Sequence, residues 1–209
     1  MNKIKCVLFD LDGVLLDAVD WHFEAFNESI QHFGISLDRT EHENVFNGLS
    51  TKQKLKILSD KGYIPSRLHS TINFMKQSFT KEKILLNCRP IFDQEYLLAN
   101  LKQSNIILGV CTNSVRDTLN LALEKLQIEK FFDVTLSNED VAKPKPDAEI
   151  YLKAMAMVGV DPHETLIIED NPNGIKAATA SGANVLKILN PRELTLRVLS
   201  DYLRENNLC

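Results

Sequence analysis

The chain has no excess of positive charge, no paired C-x-x-C cysteines and no long apolar run at its start. With 24 Lys and Arg against 28 Asp and Glu, the formal charge is −4. That balance argues against a footprint for nucleic acid or anionic membrane, although a local basic pocket could still hold a small phosphate. The cysteines are few, Cys6, Cys88, Cys111 and Cys209, and their spacing matches neither a zinc site nor a redox pair. Cys6 and Cys111 fall inside predicted strands, where a thiol acts as a small apolar side chain, so reduced structural cysteines are expected. Lys3 and Lys5 precede an apolar run that meets a carboxylate at Asp10, too soon for an export signal or a membrane span. Internal repeats and low-complexity segments are also missing. What remains is a cytoplasmic globular protein of 209 residues, 44% apolar and 25% charged, long enough for one good core and a smaller second domain.

The positive features begin where that first apolar run ends. Val7-Leu8-Phe9 reads as a buried strand, and Asp10-Leu11-Asp12-Gly13 follows it with two acids one residue apart. A strand interior has no use for two carboxylates, whereas ligands and catalytic groups of open α/β sheets sit just beyond the carboxyl ends of parallel strands. The period then becomes helical: Trp21, Ala25, Phe26, Ile30 and Phe33 share a face, with Asp17 as N-cap and Gly34 as stop. Helical runs over 52–61 and 68–85 follow without a convincing strand. From Pro90 helices and strands alternate: helices over 93–103, 117–126, 146–158 and 174–181, and strands over 106–111, near Val134, over 165–168 and over 184–188. The region 192–205 reads mostly helical. The expected fold is α/β, a Rossmann-like parallel sheet core formed by residues 1–15 and 87–209, with a small helical cap domain, residues 16–86, inserted after the first strand. Its two connections would lie at the rim of the sheet, where a lid would hinge.

Three further strand ends carry polar groups: Thr112-Asn113-Ser114, Lys143-Pro144-Lys145-Pro146 and Glu169-Asp170-Asn171. With Asp10-x-Asp12-Gly13 these resemble, in order and approximate spacing, the four motifs of the haloacid dehalogenase-like hydrolases. The likeness is to the β-phosphoglucomutase and phosphoglycolate phosphatase group with a helical cap. The resemblance implies Asp10 as nucleophile, forming an aspartyl phosphate, and Asp12 as the acid that protonates the leaving group and then activates water. It implies Lys143 as the cation beside the nucleophile, with Lys145 as surface. Thr112, together with the backbone N–H groups from Asn113 onward, would cradle the phosphate. Mg²⁺ would be held by Asp10, Asp170 and the backbone carbonyl of Asp12, with Glu169 helping. Physical chemistry points the same way, since two carboxylates and a phosphate dianion in one cleft need cationic compensation.

For the cap, the resemblance points to the loop at Gly48 and to Lys76 as substrate-binding groups. Asn47 and Thr51 are neutral where the hexose-phosphate mutases carry basic residues for a second phosphate, and His22 is read as structural. The expected function is a Mg²⁺-dependent phosphomonoester hydrolase acting on a small sugar phosphate or related metabolite, with neither nucleic acid nor membrane as partner, working as a monomer or weak homo-oligomer. A phosphomutase of the β-phosphoglucomutase type is the alternative enzyme. A non-catalytic module that binds a phosphate ligand is the alternative of another class, and the intact set of reactive residues argues against it.

Overall fold

The computed structural model describes residues 3–46 and 49–208, the side chain of Glu43 excepted. It divides into two compact units, Met1–Asp17 with Arg89–Cys209, and Ala18–Cys88. From sequence, the junctions fall at 15/16 and 86/87.

The first unit is built on a five-stranded sheet with strands β1 (Cys6–Phe9), β2 (Ile107–Cys111), β3 (Val134–Leu136), β4 (Thr165–Glu169) and β5 (Asn184–Lys187), in the order β3-β2-β1-β4-β5. All four pairings are parallel. Every residue of β1 and β4 is buried, as expected where helices cover both faces and apolar runs replace alternation. The chain is therefore α/β with a Rossmann-like parallel sheet. β1 is central, paired with β2 at Phe9↔Val110 and with β4 at Phe9↔Ile168, so the strands end side by side. Gly109 permits this packing, because a Cβ there would lie 2.6 Å from Val134 Cγ1 and 2.7 Å from Leu8 Cδ2. Cys6, Cys88 and Cys111 are buried, and burial pushes the Cys6 thiol up to about 12. Cys209 lies outside the described residues.

Helices Phe92–Gln103, Arg116–Leu126, Glu149–Val158, Pro172–Ala180 and Leu196–Glu205 complete this unit. The third starts three residues later than its sequence pattern suggests. Asn113 and Glu149 hold the preceding segment by its backbone, and that segment carries a site residue. The stretch 192–205 is interrupted: a single 3-10 turn, Pro191–Glu193, precedes a helix capped by Thr195, whose hydroxyl accepts from Val198 N.

The second unit is helical among its described residues, with helices Val19–Gln31, Thr51–Asp60 and His69–Asn87 as its longest elements. Phe26, Ile30, Leu37, Phe46, Leu55, Leu58, Ile64 and Ile72 form its core. Ser50 and Gln53 make a reciprocal capping box at the start of the second of these helices. Asp17 does not cap the first: Ala18 occupies the N-cap position, with no side-chain cap. No helix among the described residues is long and apolar enough to cross a membrane.

Candidate active site

The polar groups of the first unit meet at the carboxyl ends of β1, β2 and β4. Asp10 continues β1, its N–H donating to Ile168 O at 3.0 Å, and its side chain is buried. The chain then reverses: Gly13 N–H donates to Leu16 O at 2.7 Å, and Leu15 and Leu16 both return to Leu11 O. Gly13 has φ +91°, and a Cβ at this position would stand 2.1 Å from Asp170 Oδ2. Both conditions demand glycine. Gly13→Ala is expected to lower stability by about 1–3 kcal/mol and to displace Asp170, a loss that urea unfolding would measure.

From the end of β2, Thr112 N–H donates to Leu136 O, and the Thr112 hydroxyl oxygen accepts from Ser114 N at 3.0 Å. Ser114 Oγ in turn donates to Asp12 Oδ2 at 2.7 Å, fixing the second acid of the first motif. Asn113 turns the other way. Its amide grips the backbone of Lys145 at both ends, Nδ2 donating to Lys145 O at 3.1 Å and Oδ1 accepting from Lys145 N at 3.0 Å. The Asn113 side chain thus holds the protein's own backbone, and the substrate-binding role read from sequence rests on its main-chain N–H.

That grip corrects the lysine assignment. Lys143 is exposed; its N–H and that of Ala142 donate to the Glu149 carboxylate at 2.9 and 2.8 Å, which anchors this backbone at the surface. Lys145 is buried, and its ammonium donates to Asp10 Oδ1 at 2.7 Å, Glu169 Oε1 at 2.6 Å and Cys111 O at 2.7 Å. All three protons of the ammonium have acceptors. Both lysines precede proline in Lys143-Pro144-Lys145-Pro146, so local residue types do not separate them. The long-range contact with Asn113 does.

At the end of β4, Glu169 is fully buried. Its Oε1 takes Lys145 and the hydroxyl of Tyr151 at 2.5 Å, and its Oε2 accepts from Asp170 N at 3.2 Å. Gly174 leaves room for this carboxylate, since a Cβ would fall 1.9 Å from Oε1. Asn171 caps the next helix, accepting from Asn173 N at 2.9 Å.

Electrostatics follow from this crowding. Burial pushes Asp10 well above the usual carboxylate range; Lys145 opposes the shift, while Glu169, Asp170 and Asp12 reinforce it. Asp170 is pushed up to about 7, by burial first and then by Glu169. Burial alone would lower Lys145, but Asp10 and Glu169 outweigh it and hold the ammonium charged. Among the described residues here the buried Lys145 ammonium meets two carboxylates, Asp10 and Glu169, and Asp12 and Asp170 add to the acidic charge around Asp10, an imbalance that a divalent cation would relieve. Asp10, Glu169 and Asp170 each offer a carboxylate oxygen, all within 4.8 Å of one another, and Asp170 Oδ1 is buried with no hydrogen-bond partner among the described residues. Hard oxygen donors with an unsatisfied member suit Mg²⁺.

The two groups assigned to the cap fare differently. Gly48 lies outside the described residues. Lys76 is buried in the helical unit, its Nζ 3.2 Å from His22 Nδ1, rather than solvated on a helix face. Lys54, near the same loop, is also buried, 3.1 Å from His42 Nε2. Ser114, Lys145 and Tyr151 do not stand out as functional in the sequence; charge balance there demands only a basic residue within reach of Asp10, and Lys145 meets that demand.

Comparison with known proteins decides the family. The sequence model of the haloacid dehalogenase-like hydrolases matches residues 7–188, most of the chain. The chain belongs to the haloacid dehalogenase-like hydrolases. It is an enzyme of their phosphatase and phosphomutase branch. Among its relatives in this family is the phosphorylated carbohydrates phosphatase of Thermotoga maritima, 30% identical over 86% of this chain and 82% of the relative. The β-phosphoglucomutase of Bacillus subtilis is also 30% identical, over 86% of this chain and 80% of the relative. The solved β-phosphoglucomutase of Clostridium difficile shares the fold at TM-score 0.83 and 23% identity, covering 99% of this chain and 100% of that one.

Proposed function

We propose that the protein is a Mg²⁺-dependent phosphomonoesterase acting on a small sugar phosphate or related metabolite through an aspartyl phosphate at Asp10. The observation that carries this reading is the buried Asp10 carboxylate, held by the Lys145 ammonium at 2.7 Å beside Asp170. A carboxylate in that setting has both the fixed geometry and the cationic surroundings that in-line attack on phosphorus requires.

In the first step an Asp10 oxygen forms a bond to phosphorus while the bond from phosphorus to the ester oxygen breaks. Asp12, held through Oδ2 by Ser114, carries its proton on the other oxygen and gives it to the departing alkoxide. In the second step the same carboxylate takes a proton from water as the water oxygen attacks phosphorus, and Asp10 leaves as carboxylate. Thr112 accepts a hydrogen bond from Ser114 N and keeps its hydroxyl proton for a phosphate oxygen. Lys145 favours the ionised form of Asp10 against the effect of burial and offsets charge on the transferring group. Asp10, Asp170 and the backbone carbonyl of Asp12 would hold Mg²⁺, with Glu169 beside them; when bound, the ion neutralises phosphate charge and lowers the repulsion between nucleophile and substrate.

The test is inorganic phosphate release with Mg²⁺ across sugar phosphates, nucleotides, phosphoglycolate, bisphosphates and pyrophosphate, with Asp10→Asn as blank. Release from a sugar phosphate that falls by at least about 10³-fold in the variant is expected. No release from any ester by folded wild-type protein would refute the reading. The likeness to a β-phosphoglucomutase at 30% identity favours one second reading, a phosphomutase using the same nucleophile. It would appear in the same samples as isomerised phosphates without net release.

A further inference from the structure

Tyr151 is a fully buried polar group with no part in the mechanism above. It sits in the first turn of helix Glu149–Val158 and touches two members of the site at once. Its hydroxyl donates to Glu169 Oε1 at 2.5 Å, and its ring lies beneath the Lys145 ammonium, with Nζ 4.7 Å from the ring centroid. Glu169 Oε1 therefore accepts from both Tyr151 and Lys145.

We propose that Tyr151 is a positioning residue that holds the Lys145 ammonium on Asp10 by sharing the charge of Glu169. The proposal rests on the nucleophile reading of Asp10. Lys145 stands between two carboxylates at nearly equal distances, 2.7 Å to Asp10 Oδ1 and 2.6 Å to Glu169 Oε1. Whichever carboxylate carries more unshared charge draws the ammonium towards itself. A phenol hydroxyl donating to Oε1 takes part of the Glu169 charge in a charge-assisted hydrogen bond, and the ring below the ammonium limits its travel. Without the hydroxyl, Oε1 is left to Lys145 alone, and the cation shifts its weight away from the nucleophile.

Tyr151→Phe removes only the hydroxyl and keeps the ring and its volume, so the fold is retained, as circular dichroism would verify. With p-nitrophenyl phosphate and Mg²⁺, kcat is expected to fall about 10- to 100-fold, the scale of one hydrogen bond to a charged group, while KM stays within about twofold. Because Tyr151 acts through Glu169, the same substitution in a Glu169→Gln background should change kcat by less than about twofold. A purely structural tyrosine would give the same loss in both backgrounds. That result, or a kcat within about twofold of wild type in Tyr151→Phe alone, overturns the positioning role while leaving Asp10 as nucleophile. Release that survives Asp10→Asn instead overturns the nucleophile reading, and the role of Tyr151 falls with it.

Discussion

Lys145→Ala is expected to lower phosphate release by on the order of 10³-fold or more, and Lys143→Ala to leave it within about twofold. The contrast follows from burial and partners. Lys143 is exposed, and it is the backbone N–H that meets Glu149. Losing its side chain removes one solvated charge. Lys145 is 4% exposed and supplies the ammonium that faces Asp10, Glu169 and Cys111 O. Without it, burial and three neighbouring carboxyl groups act on Asp10 unopposed, which shifts the proposed nucleophile further towards its protonated form. A protonated carboxyl is a poor nucleophile, so the loss should fall on kcat. Phosphate release by the two variants, each checked by thermal melting, measures the difference. Equal activity in both would remove Lys145 from the site.

The lysine also shows what kind of information sequence carries here. The strands are legible because a parallel sheet covered on both faces needs unbroken apolar runs, as in Val7-Leu8-Phe9 and Thr165-Leu166-Ile167-Ile168. The acids are legible because a carboxylate placed just after such a run serves little purpose except binding or catalysis. Which lysine turns inward depends on Asn113 reaching 32 positions along the chain to the Lys145 backbone, and no local pattern encodes that. The same holds for Tyr151, whose hydroxyl meets Glu169 18 positions further along the chain. Asp17 misleads for the converse reason: its residue type suits an N-cap, yet the helix begins after Ala18, and Asp17 is exposed. In the helical unit Lys54 and Lys76 are buried beside histidines, because tertiary packing rather than helical period decides the fate of a long amphipathic side chain.

Asp170→Asn should remove most of the phosphate release and yet stabilise the metal-free protein at neutral pH. Asp170 stands between Gly13 and Glu169, where burial and the neighbouring carboxylate raise it from the ordinary 3.8 to about 7. Between pH 4 and 7 the folded state therefore keeps a proton that the unfolded chain has lost. Stability associated with this group is present below pH 4 and declines as pH rises towards 7, because in that window the folded state binds more protons than the unfolded one. Asparagine fills the same space without a charge, so in EDTA the variant should be more stable than wild type by about 1–3 kcal/mol at pH 8 and nearly equal to it at pH 4. Mg²⁺ should reverse the order by stabilising the wild type through mass action, with an effect that grows as pH rises, since binding must displace the Asp170 proton. On the proposed metal role of Asp170, activity should fall about 10²- to 10³-fold, because the variant would lose one carboxylate of the set that would hold the ion. Urea unfolding of both proteins at pH 4 and pH 8, with EDTA and with Mg²⁺, separates these effects. A wild type as stable as the variant in EDTA at pH 8 would mean that Asp170 is already ionised without cost. In that case the need for a cation must come from Asp10, Glu169 and the substrate phosphate rather than from Asp170.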